Sequence, residues 1–343
     1  MITKTNPEEF IKNMPKVELH LHLEGAFTIE SLFDLINKYG GVSGISNVGS
    51  LEEKFQFRDF SHFIETWCWK NDFFREAEDF EYTIYHTMKN LHEQSIVYVE
   101  AFYSPWDFAP SGISAPAITE AIIEAVKKAK TDFGICCQLI ADISRDVGAD
   151  SSVERFRQVL PYRNEGIIGI GLGGSEQKFP NELFADVFKE AKKEGLHLVA
   201  HAGEAAGPES VWSALEVLEA ERIGHGVRAI EDPILMKKLK TDQVPMEICV
   251  NSNLKTGIFL SLEKHPVKSF FNEGLNITIN SDDPTMFGKT LTDEFIYLHQ
   301  RDVFSLHDLK TITLNAVNAS FLNDEQKKSL GDKVEDYWTR NNV

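Results

Sequence analysis

A chain of 343 residues with 42% hydrophobic and 26% charged positions has the make-up of a globular protein with a large core, and α/β barrels reach this size as one domain, here 1–343. Its formal net charge of −18 argues against nucleic acid or an anionic membrane as partner, because both demand a basic face. Four cysteines (Cys68, Cys136, Cys137, Cys249) without C-x-x-C spacing, no apolar leader and no run long enough to span a bilayer point to a reducing, cytoplasmic setting.

Apolar, β-branched runs recur along the chain at 17–23, 96–104, 134–144, 166–174, 196–203, 222–226, 246–253 and 276–283. Segments with helical periodicity lie between them, among them 118–133, 182–195 and 210–221. Near-continuous apolar strands alternating with helices imply a parallel sheet covered on both faces, and eight such units imply a (β/α)₈ TIM-type barrel. GIGLGG at 169–174 fits the letters of a dinucleotide loop but is followed by SEQKFPNE and not by an immediate helix. The stretch 26–95 exceeds a simple crossover and predicts extra helices between the first and second strands. In it Phe60, Phe63 and Trp67 recur at helical spacing, which suits both a helix packed on the barrel mouth and an apolar lid over a pocket. Further helices are expected at the C-terminus, over 305–338.

Barrel chemistry sits at the C-terminal ends of the strands, and the polar clusters of this chain fall there. His20 and His22 form an H-x-H pair within a strand, so both imidazoles face the same way, toward the barrel interior. His201 ends the fifth strand and offers a third nitrogen; Asp282 ends the eighth, which neighbours the first on closure. Three histidines and one aspartate suit a zinc-sized ion with a position left for water, whose pKa such an ion lowers toward neutrality. Glu204, in HAGE, can manage protons there, although a carboxylate at a helix N-terminus reads the same way. His225, in RIGHG, can stabilise charge beside the ion or be a loop histidine without a part. Asp283 diverges from Asp282 and can meet substrate, while Asp-Asp-Pro is also common turn chemistry.

The strings PKVELHLHLEGA, HAGE, RIGHG, CVNSN and NSDDP, in this order over 15–284, resemble the adenosine/adenine deaminase family of metal-dependent barrel hydrolases. The resemblance implies one zinc per chain on His20, His22, His201 and Asp282. It implies that Glu204 protonates purine N1, that His225 positions the attacking hydroxide, and that Asp283 and the Gly174 backbone meet N7 and N3. The implied reaction is hydrolytic deamination of a small purine, read first as adenosine or 2′-deoxyadenosine. Glu24 stands where family members acting on adenosine commonly carry Asp; it resembles the deaminases of adenine or of larger N9-substituted adenines such as aminodeoxyfutalosine. A silent binding protein of the same fold, and an amidohydrolase with a carboxylated lysine between two metals, are the rival classes. Lys255 is the lysine nearest a strand end for the latter, and it sits in a loop. Oligomeric state has no signature in the sequence.

Overall fold

A computed structural model describes residues 6–57 and 60–341; the side chain of Phe60 lies outside the described residues. Eight strands run in parallel: β1 (Lys16–His22), β2 (Ile96–Tyr103), β3 (Cys136–Asp142), β4 (Ile167–Gly171), β5 (His197–Ala202), β6 (Arg222–His225), β7 (Met246–Ile248) and β8 (Ile277–Ile279). Each pairs with the next in sequence, so the sheet order is the chain order. The ends meet just beyond β8. Leu21 bridges Asp282, the His22 N–H donates to the Asp282 carbonyl at 2.9 Å, and the Asp282 N–H donates to the His20 carbonyl at 3.1 Å. Side chains complete the seam: Leu19 N–H donates to Asn280 Oδ1 at 2.9 Å and Ser281 N–H to Glu18 Oε1 at 2.8 Å. This is the expected (β/α)₈ barrel.

The period-two alternation of the strands sorts side chains between the barrel interior and the helical shell. Near the N-terminal ends of the strands, the Arg222 guanidinium pairs with Glu100 and with Glu247, all three at most 1% exposed. Arg222 also lies 3.9 Å from the centre of the Phe321 ring, on which His197, the first residue of β5, stacks. Phe102, Ile140 and Val199 form an apolar layer that also packs against Phe321. The histidines occupy the opposite, C-terminal end. Interior charges are expensive unless paired, and these are paired into a network that ends on a histidine of the candidate metal site.

The helix Ala77–Glu93 is the crossover from β1 to β2, and the helices Ile29–Lys38, Val48–Glu52 and Phe60–Asn71 are the expected insertion before it. Helices Leu291–Gln300, Leu306–Ala319 and Asp324–Asn341 follow β8. One expected strand ends early. The run 246–253 leaves the sheet at Ile248, and Val250–Lys255 is helical. Its first turn is anchored where Asn251 N–H donates to the buried Glu294 carboxylate at 2.8 Å, a partner 43 residues away that an apolar run does not reveal. Among the described residues no helix is long and apolar enough to cross a membrane.

Candidate metal centre and active site

The ligand atoms of His20, His22, His201 and Asp282 all lie within 4.8 Å of one another. His20 Nδ1–H donates to Glu247 Oε2 at 2.7 Å, which directs Nε2 toward Asp282 Oδ1 at 3.4 Å. That Nε2 is buried without a hydrogen-bond partner. His22 Nε2 stands 3.4 Å from the same carboxylate oxygen and 3.0 Å from His201 Nε2. Burial pushes His22 down to about 4, and burial with neighbouring histidines pushes His201 down, so both imidazoles are neutral and have lone pairs to offer. Burial opposes charge on His20 too, but Asp282 and Glu247 outweigh it and raise it to about 10. The cluster therefore favours added positive charge at Nε2, and a divalent cation in an N₃O set fits it. Among the described residues, His20, His225, Cys249 and Asp282 also converge. Burial holds the Cys249 thiol far above its ordinary range, which makes it the poorer ligand. Lys255, the lysine a two-metal site would need, is exposed.

Three residues at this end hold backbone angles that L-residues rarely adopt: Ser144 with φ 51°, His225 with φ 59° and Asp282 with φ 65°. Such strain costs about 1–3 kcal/mol each and persists where surrounding contacts impose it. Here the imposing contacts on Asp282 are the two backbone bonds to β1.

Glu204 and His225 are brought to the cluster. His225 Nε2 lies 3.7 Å from Glu204 Oε2 and 3.8 Å from Asp282 Oδ2. Burial raises the Glu204 carboxyl, with Asp282 and Glu176 adding to the effect against His225. A relay sets the histidine's tautomer. Val267 N–H donates to His265 Nδ1 at 3.2 Å, so His265 Nε2–H donates to Asn253 Oδ1 at 3.2 Å. The Asn253 amide then donates to His225 Nδ1 at 3.1 Å and to Glu204 Oε1 at 3.3 Å. Accepting at Nδ1 leaves His225 Nε2 to carry the ring N–H, directed at Glu204 and Asp282.

Asp283 sits against Gly25: a Cβ on that glycine would fall 1.8 Å from Asp283 Oδ1. Oδ1 is buried without a hydrogen-bond partner, and burial with the Asp282 charge holds the carboxyl well above its ordinary range. Gly174, with φ 95°, lies in the loop after β4, and a Cβ on the adjacent Gly173 would be 3.4 Å from the His201 ring. Glu24 is buried, and its Oε1 accepts the Ser104 N–H at 2.6 Å. Burial and Asp107 raise it to about 7, against the pull of Lys70. The lid reading gains from Phe63, whose ring stacks on Phe287 at 5.4 Å and 4°, four residues beyond Asp283. A cavity beside it is walled by Phe55, Phe57, Phe63 and Phe287, with Lys255 and Lys289 also lining it.

Sequence reasoning did not single out Glu247, Asn253, His265, Lys70 or Glu176. Asn253 and Glu176 lie inside strings already noted, CVNSN and GLGGSE, but their partners come from other loops. Lys70 is wholly buried on the helix Phe60–Asn71, 4.0 Å from the Trp67 ring centre, and burial lowers it to about 8.

The family model for adenosine deaminase matches residues 15–337. An adenine deaminase of Hahella chejuensis is 32% identical over 330 residues, spanning 96% of this chain and 98% of its own. An aminodeoxyfutalosine deaminase of Streptomyces avermitilis is 36% identical over 330 residues, spanning 96% and 92%. The crystal structure of an adenine deaminase from Arthrobacter aurescens superposes with a TM-score of 0.89 at 30% identity, covering 95% of this chain and 99% of that one. The match runs from before the first histidine pair to the last helix and takes in every cluster described above, and the chain belongs to the adenosine deaminase family.

Proposed function

We propose that this chain hydrolyses the 6-amino group of an adenine ring, releasing ammonia and leaving a 6-oxopurine, with free adenine as the first substrate. The observation that carries the reading is the placement of two carboxyls raised above their ordinary range, half-buried Glu204 with its Oε2 3.7 Å from His225 Nε2 and buried Asp283 against Gly25, beside a four-ligand metal cluster. Adenine's N1, N3 and N7 are all hydrogen-bond acceptors, so their partners must be donors, and a carboxyl kept protonated is one. His20, His22, His201 and Asp282 would hold one zinc per chain, which when bound would supply Lewis acidity to make water nucleophilic near neutral pH.

The chain's own groups then do the rest. Glu204 gives its proton to N1 as oxygen adds at C6, which moves negative charge off the ring. His225, with Nε2–H aimed into the cluster, orients the incoming oxygen and steadies its charge. Asp283 donates to N7 and the Gly174 N–H to N3, which sets the ring's register. The proton that water sheds on addition passes to the amine, which leaves the tetrahedral carbon as ammonia while the hydroxyl gives its proton back to Glu204 and closes to the 6-oxo group, N1 keeping the proton it received.

The sequence reading puts adenosine first; the relatives favour its stated alternative, adenine or an N9-substituted adenine. Glu24, the residue at the sugar end by family resemblance, commits one oxygen to the Ser104 backbone, which supports reading that end as occupied by protein. Free adenine needs no room there. A second reading, an N9-substituted adenine, draws on the 36% identity to the aminodeoxyfutalosine deaminase and on the cavity beside Phe63. The test is ammonia release by metal-replete protein from adenine, adenosine, 2′-deoxyadenosine and aminodeoxyfutalosine. A kcat/KM highest for adenine supports the first reading; turnover of aminodeoxyfutalosine alone supports the second; preference for adenosine overturns both.

A further inference from the structure

Four consecutive backbone N–H groups follow β5, and one carboxylate gathers them. Glu176 Oε1 accepts from Gly203 at 2.5 Å, while Oε2 accepts from Glu204 at 3.2 Å, Ala205 at 2.8 Å and Ala206 at 2.8 Å. We propose that Glu176 is a positioning residue for the reaction: from the loop after β4, its side chain sets the backbone of the turn that carries Glu204, and so fixes where that acid delivers its proton. This rests on reading Glu204 as the proton donor.

A run of successive N–H groups turned inward is an anion-binding concavity, and here the anion is supplied by the protein itself. Glu176 is 5% exposed, so its carboxylate is itself withdrawn from water and is satisfied by these charge-assisted bonds. The turn is held from other directions too. Gln177 Nε2 donates to the Ala205 carbonyl at 2.6 Å, and Arg145 Nη2, from the loop after β3, donates to the His201 carbonyl at 2.8 Å. Gly203, at φ 67°, packs so tightly that a Cβ would fall 2.4 Å from Val211. With its backbone fixed on these sides, Glu204 has little freedom left except at its carboxyl, and that end meets Asn253 and His225. Proton donors lose efficiency steeply with misplacement, on the order of 100-fold for about 1 Å.

Glu176→Gln is close to isosteric but must turn an NH₂ toward either the Gly203 N–H or the other three. The experiment is a double-mutant cycle of E176Q, E204Q and E176Q/E204Q, with kcat, KM, bound zinc and amide hydrogen exchange of 203–206 measured for each. The expected result is a fall of roughly 10- to 100-fold in kcat for E176Q. KM and zinc content stay unchanged, exchange at 203–206 is faster, and no further loss appears when E176Q is added to E204Q. An unchanged kcat, an equal loss in both backgrounds, or zinc lost along with activity overturns the proposal. If E176Q does not fold, E176D keeps the charge on a shorter arm, reaches fewer donors and carries the same cycle. Wild-type silence on every adenine-ring compound would overturn the deaminase reading, whereas the exchange of 203–206 tests the clamp independently of substrate.

Discussion

Gly25 and Asp283 meet with no space for a methyl group, and the pair belongs to two segments 258 residues apart. Gly25→Ala must push the Asp283 carboxyl off its place. We expect the variant to fold and bind metal but to lose roughly tenfold or more in kcat/KM, read by steady-state kinetics beside metal analysis. Glu204→Gln keeps the size and removes the proton, so kcat falls by about 10²–10⁴. The sign of the pH dependence follows. On the proposed reading Glu204 acts when protonated, and burial raises its carboxyl, so wild-type kcat is expected to decline on the alkaline side. The Gln variant's residual activity lacks that limb. At this scale the candidate metal ligands were legible because they sit at three strand ends, His20 and His22 together on the first. Glu247, which sets His20's tautomer, was not: it pairs across 227 residues through an interior that no local pattern describes.

The helix Phe60–Asn71 shows what periodicity can and cannot say about an element. Spacing placed Phe63 and Trp67 on one helix, but only the fold shows Phe63 stacked on Phe287, four residues beyond Asp283. Phe63→Ala is expected to raise KM several-fold with kcat little changed, the pattern of lost uniform binding. A fall in kcat at constant KM would place the ring in the chemistry instead. The segment 250–255 teaches the converse, because an apolar run hid a strand end and a helix start. It brings Asn253 under His265, which burial drives down to about 3 from 6.5. Between those values the unfolded chain binds the proton that the folded one refuses, so this histidine makes stability fall as pH drops from 6.5 toward 3. His265→Gln, which keeps a donor for Asn253, should lose less stability than wild type over that interval in urea unfolding of metal-free protein. Equal losses would show that another group governs the acid limb.

For the whole molecule, the repeat of strand and helix was enough to specify a barrel, and the barrel explains why five short strings so far apart form one site. Closure brings Asp282 against β1, and the loops after β3, β4 and β5 brace one another around Glu204. Substrate identity was the least legible part. It depends on how one carboxyl, Glu24, is used, and the Ser104 N–H that engages it is 80 residues away. The central claim is that this barrel replaces the 6-amino group of an adenine ring with oxygen from water. Metal-replete protein incubated with adenine, and in parallel with N9-substituted adenines, in ¹⁸O-water tests it most directly by mass spectrometry of the product. The account predicts a 6-oxopurine carrying one ¹⁸O, with an equivalent of ammonia. No labelled 6-oxopurine from any adenine-ring compound would contradict it.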